Sequence, residues 1–322
     1  MKVVALGGGH GLSASLQALR QLTPHVTAVV TVADDGGSSG RLRDELGILP
    51  PGDLRMALAA LAGQDDWGRS WEALLQHRFH GDGPLGGHAV GNLLLAGLTE
   101  TTGDPVAALD LAGRLLGAVG RVLPMSCEPL EIVADVAGLD PEQPDQTSLV
   151  RGQVAVALTA GQVLAVRLEP VAPLACEEAI EAVRCADWVV LGPGSWFSSV
   201  LPHLLVPELR KALATTGARR LVCLNLSPQA GETDGFSPEA HLDVLTAYAP
   251  ELTVDVVLAD QDAVTDARSL TEHVQASGGR LLLAPVAWGD GTPRHHPDRL
   301  ARAYAQVLLG TRMTTLEAQA WR

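Results

Sequence analysis

An α/β fold of the Rossmann-like type, a mostly parallel sheet with helices on both faces, is predicted from three observations. β-like apolar runs alternate with stretches of helical apolar spacing along much of the chain, the rhythm of a parallel sheet covered on both sides. The opening stretch KVVALGGGHGLSASLQALRQL reads as strand, glycine loop and helix. Polar, glycine-rich loops follow several strands at their carboxyl ends, where open parallel sheets bind ligands.

Taken in order, the first strand KVVAL turns through GGGHGL, residues 7 to 12, into a helix. The run VTAVVTV, residues 26 to 32, is rich in β-branched residues and is expected as a second strand ending against Asp34 and Asp35. VADDGGSSGRLR, residues 32 to 43, is expected as a loop, because its acids, glycines, serines and arginines suit no helix or strand interior. PPGDLR, residues 50 to 55, is a second polar loop. Residues 53 to 117 read as consecutive helices forming a helical cap, with HAVGNLLLAGLTE among them. Residues 121 to 168 change to short strands, QVAVAL and QVLAVRLEP included, and predict a small β insertion. The βα rhythm then resumes through WVVLGPGS, RLVCLNLS, VDVVLA and RLLLAPVAW, and a last helix runs from about Pro297 to Leu309. With no internal repeat or linker, a single α/β domain over residues 1 to 322 is expected.

A chain of 322 residues that is 47% hydrophobic and 19% charged can bury a large core, which excludes disordered and fibrous classes. The net charge of −14 argues against nucleic acid or an anionic membrane as partner, since both would repel it. Lysine occurs only as Lys2 and Lys211, so an arginine is informative only when it sits in a glycine loop. The four cysteines lack CxxC or zinc spacing and are expected as reduced core residues. No apolar stretch is long enough to span a bilayer and no signal peptide is apparent, so a cytoplasmic location is expected.

The candidate ligand-binding residues lie in the polar loops. Gly8, Gly9, His10 and Gly11 would present amides and a helix N-terminus to phosphate; the alternative is a plain tight turn. Asp34 stands where a dinucleotide fold places its ribose-binding acid. Asp34 or Asp35 is equally the candidate ligand for a hard cation, magnesium in particular, and a cap or loop-closing role is the alternative. Ser38, Ser39, Arg41, Arg43, Asp53 and Arg55 complete the two polar loops, with serine and arginine suited to phosphate oxygens. His88 and Asn92 stand four apart and would share one helix face, either satisfying each other or lining the pocket. Gly192, Gly194 and Ser195 in GPGSWFSS repeat the N-terminal loop geometry; the pattern is not GxSxG and no triad accompanies it. Asn225 ends the strand RLVCLNLS, and Thr233 and Asp234 in GETDGF would contact a sugar or base unless this is an ordinary crossover loop. In RHHPDRLA, Arg294 is favoured as the ligand contact over a metal site at His295 and His296, and Pro297 marks a helix start.

GGGxGL, TVADDGGSSGRLRDELGILPPGDLR, GHxxGNLLLAGLTE, GRVLP, LGPGSxxSSxxPxLLVPEL and GETDGF together resemble the gluconeogenesis factor family, the YvcK-like proteins, over essentially the whole chain. That family is similar in fold to 2-phospho-L-lactate transferase. The resemblance implies a cytoplasmic regulatory protein, needed for cell shape and gluconeogenic growth, that binds UDP-sugars such as UDP-N-acetylglucosamine. It implies that Gly7 to Gly11, Asp34 to Ser39, Gly192 to Ser195 and Arg294 surround the nucleotide-sugar. A homo-oligomer and cell-wall synthesis regulators are its candidate partners, and binding requires no cofactor. Against the family pattern, His10 replaces threonine, Met56 asparagine, Phe236 tyrosine and His296 aspartate. These changes favour a binding protein without turnover; a transferase of the phospholactate type and an NAD-type dinucleotide binder are the alternatives.

Overall fold

The computed structural model describes residues 1–143, 146–229 and 231–310. Seven strands, β1 (Val3–Gly7), β2 (Val26–Val30), β3 (Arg121–Pro124), β7 (Trp188–Leu191), β8 (Arg219–Cys223), β9 (Val256–Asp260) and β10 (Arg280–Ala284), form one sheet. Its order is β10-β9-β8-β7-β1-β2-β3, and every neighbouring pair is parallel. The chain winds outward from β1 to β3 on one side and from β7 to β10 on the other, so the winding reverses between β1 and β7. β1 and β7 are buried at every position, which explains their unbroken apolar runs.

Helix α1 (Gly9–Leu19) leaves β1 and packs against α3 (Pro51–Leu61) and α12 (Pro297–Leu308). It buries Leu12, Leu16 and Leu19, each worth roughly 1.5–3 kcal/mol relative to exposure. Pro51 and Pro297 occupy the first turns of α3 and α12, where the missing N–H costs nothing. The remaining N-terminal helices are α2 (Gly37–Leu46), α4 (Asp66–Gln76), α5 (Val90–Thr102) and α6 (Pro105–Leu115). Asp65 and Asp104 cap α4 and α6, accepting from the Gly68 and Val106 amides at 2.8 and 2.9 Å. An antiparallel sheet of β5 (Thr147–Arg151), β4 (Glu131–Ala137) and β6 (Gln162–Glu169) stands apart from the main sheet, with α7 (Gln153–Ala157) between β5 and β6. After β6, α8 (Glu177–Arg184), α9 (Pro207–Thr215), α10 (Pro238–Tyr248) and α11 (Ala267–Ala276) alternate with strands β7 to β10.

The architecture agrees with the α/β, Rossmann-like expectation, and local readings differ in several places. Residues 51–55 of PPGDLR are not a loop but the start of α3, where Pro51 and Gly52 at a helix N-terminus look like turn residues in sequence. Residues 37–43 of the expected loop belong to helix α2, which runs on to Leu46 and buries Ser38, Ser39 and Gly40 with Leu42. Its inward face is made of small and polar residues, so it has no apolar period to read. QVAVAL is not a strand: residues 153–157 form α7, whose Val154 N–H donates to Asp35 Oδ1 at 2.9 Å. Its Val154/Val156 alternation fits one helical turn with a single buried valine as well as it fits a strand. Residues 121–124 belong to the main sheet as edge strand β3, so the separate sheet begins at Glu131. Finally, Cys127 and Cys185 are exposed, and only Cys176 and Cys223 are buried.

Candidate functional site

A cleft of about 860 Å³ opens at the carboxyl ends of the strands flanking the winding reversal. Gly8 to Gly11 reach it from β1, Gly194 and Ser195 from β7, Asn225 to Gln229 from β8, and Trp288, Arg294 and His295 from beyond β10; Gln153 and Val154 of α7 close one side. The first two loops touch. A methyl group on Gly11 would run into the Pro193 carbonyl, so only glycine lets α1 start this close to the β7 loop. No side chain caps α1 at Gly8, and its first-turn amides are left for an anion or for neighbours. Asp53 takes the Gly9 amide.

The β7 loop is held by side chains from β8 and beyond. Asn225 bridges Gly194, accepting from its N–H at 2.9 Å and donating to its carbonyl at 2.8 Å. Gln229 Nε2 donates to Ser195 Oγ at 3.1 Å. Below them, buried Glu232 accepts from the Phe197 amide at 3.1 Å and from Ser198 Oγ; burial raises its pKa against the pull of these bonds. Arg294 is exposed in the cleft mouth, bonded to Asp290 at 3.1 Å, with its guanidinium carbon 5.8 Å from the Trp288 ring centroid. Trp288 stacks on His296, with centroids 4.2 Å apart. His295 is buried beside Cys223, and burial lowers its pKa to about 4.

One carboxylate, Asp53, lines the floor, and a second, Asp34, stands beside it. Asp34 Oδ1 accepts from the Gly36 amide at 2.9 Å, and its Oδ2 lies 2.6 Å from where a Cβ on Gly52 would stand. Asp53 follows in the first turn of α3, and burial, then the neighbouring Asp34 charge, raises its pKa to about 7. Behind them runs a buried polar chain. Asn92 Nδ2 and the Ala89 amide donate to Ser38 Oγ at 2.9 and 3.4 Å, so the hydroxyl proton goes to His88 Nδ1 at 2.9 Å. His88 is therefore neutral with its proton on Nε2, in line with a pKa lowered by desolvation and then by Arg41. Arg55 Nε donates to Asn92 Oδ1 at 2.8 Å, and its guanidinium also meets Gln76. Burial, then Arg78, lowers the Arg55 pKa to about 10.

The structure thus gathers Gly8, Gly9, His10, Gly11, Asp53, Gly194, Ser195, Asn225 and Arg294 around one cleft. Asp34 and Ser39 adjoin it at Gly52, while Ser38, His88, Asn92 and Arg55 form the supporting chain. His88 precedes α5 and shares no helix face with Asn92; they meet through Ser38. Gly192 with positive φ shapes the β7 turn. Five residues point elsewhere. Asp35 anchors α7, Arg41 donates to the Gly86 carbonyl at 2.8 Å, and Arg43 donates to the Leu130 carbonyl at 2.8 Å. Thr233 and Asp234 close their own loop by accepting from the Gln229 and Gly231 amides at 2.8 and 3.0 Å.

Residues 3–279 match the family described as 2-phospho-L-lactate transferase CofD. A Mycobacterium leprae protein provisionally named gluconeogenesis factor is 56% identical over 312 residues, covering 96% of this chain and 86% of that protein. The Halalkalibacterium halodurans gluconeogenesis factor is 40% identical over 264 residues, covering 82% and 79%. The chain belongs to the gluconeogenesis factor family. A crystal structure of a UPF0052-family protein from Bacillus halodurans aligns with a TM-score of 0.82 at 33% identity, over 94% of this chain and 97% of that one. Among the described residues of this chain, no helix is long and apolar enough to cross a membrane.

Some residues that line the cleft carry little signal in the sequence. Gln153 and Val154 sit in the segment read as a strand, and Gln229 lay outside the motifs weighed. Trp288, 43% exposed beside a cleft, had a legible signal: a tryptophan next to the polar run GDGTPRHH has no core to fill.

Proposed function

We propose that this chain binds a nucleoside-diphosphate sugar, UDP-N-acetylglucosamine first among them, as a regulatory protein in gluconeogenic growth and cell shape. The observation that carries this reading is the cleft at the winding reversal, where the uncapped start of α1, the β7 loop and Arg294 face a common volume. A diphosphate suits first-turn amides and a guanidinium, and Trp288 offers an aromatic edge for a base or sugar. Isothermal titration calorimetry tests it. Saturable heat with UDP-N-acetylglucosamine, displaced by UDP, supports the reading; no heat at millimolar ligand removes it.

A second reading, a phospholactate-type transferase, is favoured by the family match and by the Asp34–Asp53 pair. Among the described residues no three His, Cys, Asp or Glu side chains gather to hold an ion. Two carboxylates still fit magnesium, which usually keeps waters and takes further oxygens from phosphate. Asp34 and Asp53 would hold the ion, and Asp35, turned to α7, would not. Bound there, magnesium would offset charge on a diphosphate. The chain's own part is to orient the diphosphate on the α1 amides and to let Asp53 give up its proton. Binding without turnover is the favoured form of the proposal, and Ser198, bonded to buried Glu232, is the hydroxyl at the cleft that a turnover assay has to address.

A further inference from the structure

Two thiols meet where the three-stranded sheet joins the main sheet. The chain leaves β3 for β4 through residues 125–130 and returns from β6 to α8 through residues 170–176. These crossings run side by side, with the Cys176 N–H donating to the Met125 carbonyl at 3.2 Å. Cys127 is exposed on the outgoing crossing, and Cys176 is buried at the N-cap of α8 on the returning one. Cys127 stands two residues along the chain from the carbonyl that holds the Cys176 N–H, which brings the two thiols to the same corner, and Cys176 Sγ lies 3.3 Å from Glu178 Oε2. The neighbouring Cys176 thiol lowers the Cys127 pKa, while Cys127 and burial raise that of Cys176. The other two thiols lack this arrangement. Cys185 is bonded to Glu181 at 3.0 Å with a raised pKa, and Cys223 is buried with its pKa pushed up to about 12.

We propose that Cys127 and Cys176 are an oxidisable dithiol, which a peroxide converts into a disulfide clamping the two crossings together. The exposed Cys127 thiolate attacks one oxygen of hydrogen peroxide; the O–O bond breaks, and the leaving hydroxide takes a proton to become water. Cys176 then passes its proton to the Glu178 carboxylate and attacks the Cys127 sulfenic sulfur. The S–O bond breaks, and the departing hydroxide takes that proton as a second water. In sum, two thiols and one peroxide give one disulfide and two waters. The consequence reaches the cleft, because the clamped sheet carries α7, whose Gln153 and Val154 form the cleft wall.

The test uses the full reduced chain, treated with hydrogen peroxide, blocked with N-ethylmaleimide and digested without reductant for mass spectrometry. The expected product is one Cys127–Cys176 peptide pair, two hydrogens lighter and reversed by dithiothreitol. Cys185→Ser leaves the link intact, whereas Cys127→Ser and Cys176→Ser abolish it. In Cys176→Ser, dimedone traps a sulfenic acid on Cys127. Protease cuts within residues 131–169 should slow several-fold in the oxidised wild type. Wild-type Cys127 passing to sulfinic acid without a link, links between chains, or prior consumption of Cys185 would overturn the dithiol. Unchanged proteolysis of the linked protein would overturn the clamp.

Discussion

Asp53 carries the charge most sensitive to what binds beside it. Its pKa, raised from 3.8 to about 7 by burial and Asp34, means the folded protein keeps a proton that the unfolded chain releases across that range. This group's contribution to stability is therefore greatest below pH 3.8, falls as pH rises to about 7, and is level above. Asp53→Asn should gain stability above pH 7. Full conversion at 1.36 kcal/mol per pKa unit would give about 4 kcal/mol, but the side chain keeps some surface on the cleft, so about 1–3 kcal/mol is expected by urea denaturation. Magnesium with a nucleoside diphosphate should release a proton near pH 6.5 in wild type, seen as buffer-dependent calorimetric heat, and none in Asp53→Asn. Arg294 is the complementary case, an exposed cation at the cleft mouth. Arg294→Ala should weaken UDP-sugar affinity about tenfold or more, as for a charge-assisted hydrogen bond of roughly 1.5–3 kcal/mol, without moving the thermal midpoint. Equal affinities would place the ligand away from it.

Among the elements, the start of α1 depends most on one atom-scale clearance. Gly11→Ala sets a methyl group against the Pro193 carbonyl, backbone against backbone, with no flexible side chain to yield. A loss of about 1–3 kcal/mol is expected in urea denaturation, together with weakened ligand binding, because α1 and the β7 loop must part. A smaller effect belongs to α7. Asp35→Ala removes the carboxylate that takes its Val154 amide and should cost about 0.5–2 kcal/mol, like the loss of a helix cap. Faster amide exchange confined to residues 153–157 would identify the element affected. These short elements were the least legible. α2 buries serines and a glycine, and α7 is a single turn, so neither offers the apolar period by which α1, α6 and α12 are recognised.

For the whole molecule, acid stability falls to buried histidines. His203, between the Val29 and Val200 carbonyls at 3.0 and 3.2 Å, has its pKa lowered by burial to about 4, as does His295. Burial favours the neutral form of both in the fold while the unfolded chain protonates, so stability present above pH 6.5 falls between 6.5 and 4; at His203 the two carbonyls pull the other way, since a neutral ring can donate to only one of them. His203→Gln should flatten the acid limb by up to one proton, about 1.4 kcal/mol per pH unit. An unchanged slope would mean that His203 is protonated in the fold.

The sequence alone determined the class of fold, the parallel sheet and the glycine loops at its carboxyl edge, because periodicity and loop chemistry are local properties. It pointed to Gly8–Gly11, Asp53, Asn225 and Arg294, each beside a strand end or helix start that could be read along the chain. Only the tertiary structure decided which acid stands beside the floor. Asp34 and Asp35 are neighbours with identical side chains, and nothing local shows that one meets Gly52 while the other holds a helix more than a hundred residues away. It likewise tied Thr233 and Asp234 into their own loop, joined His88 to Asn92 through Ser38, and brought Cys127 beside Cys176. Such pairings follow from which strands lie next to each other, and strand order is set by burial and sheet geometry summed over the whole chain.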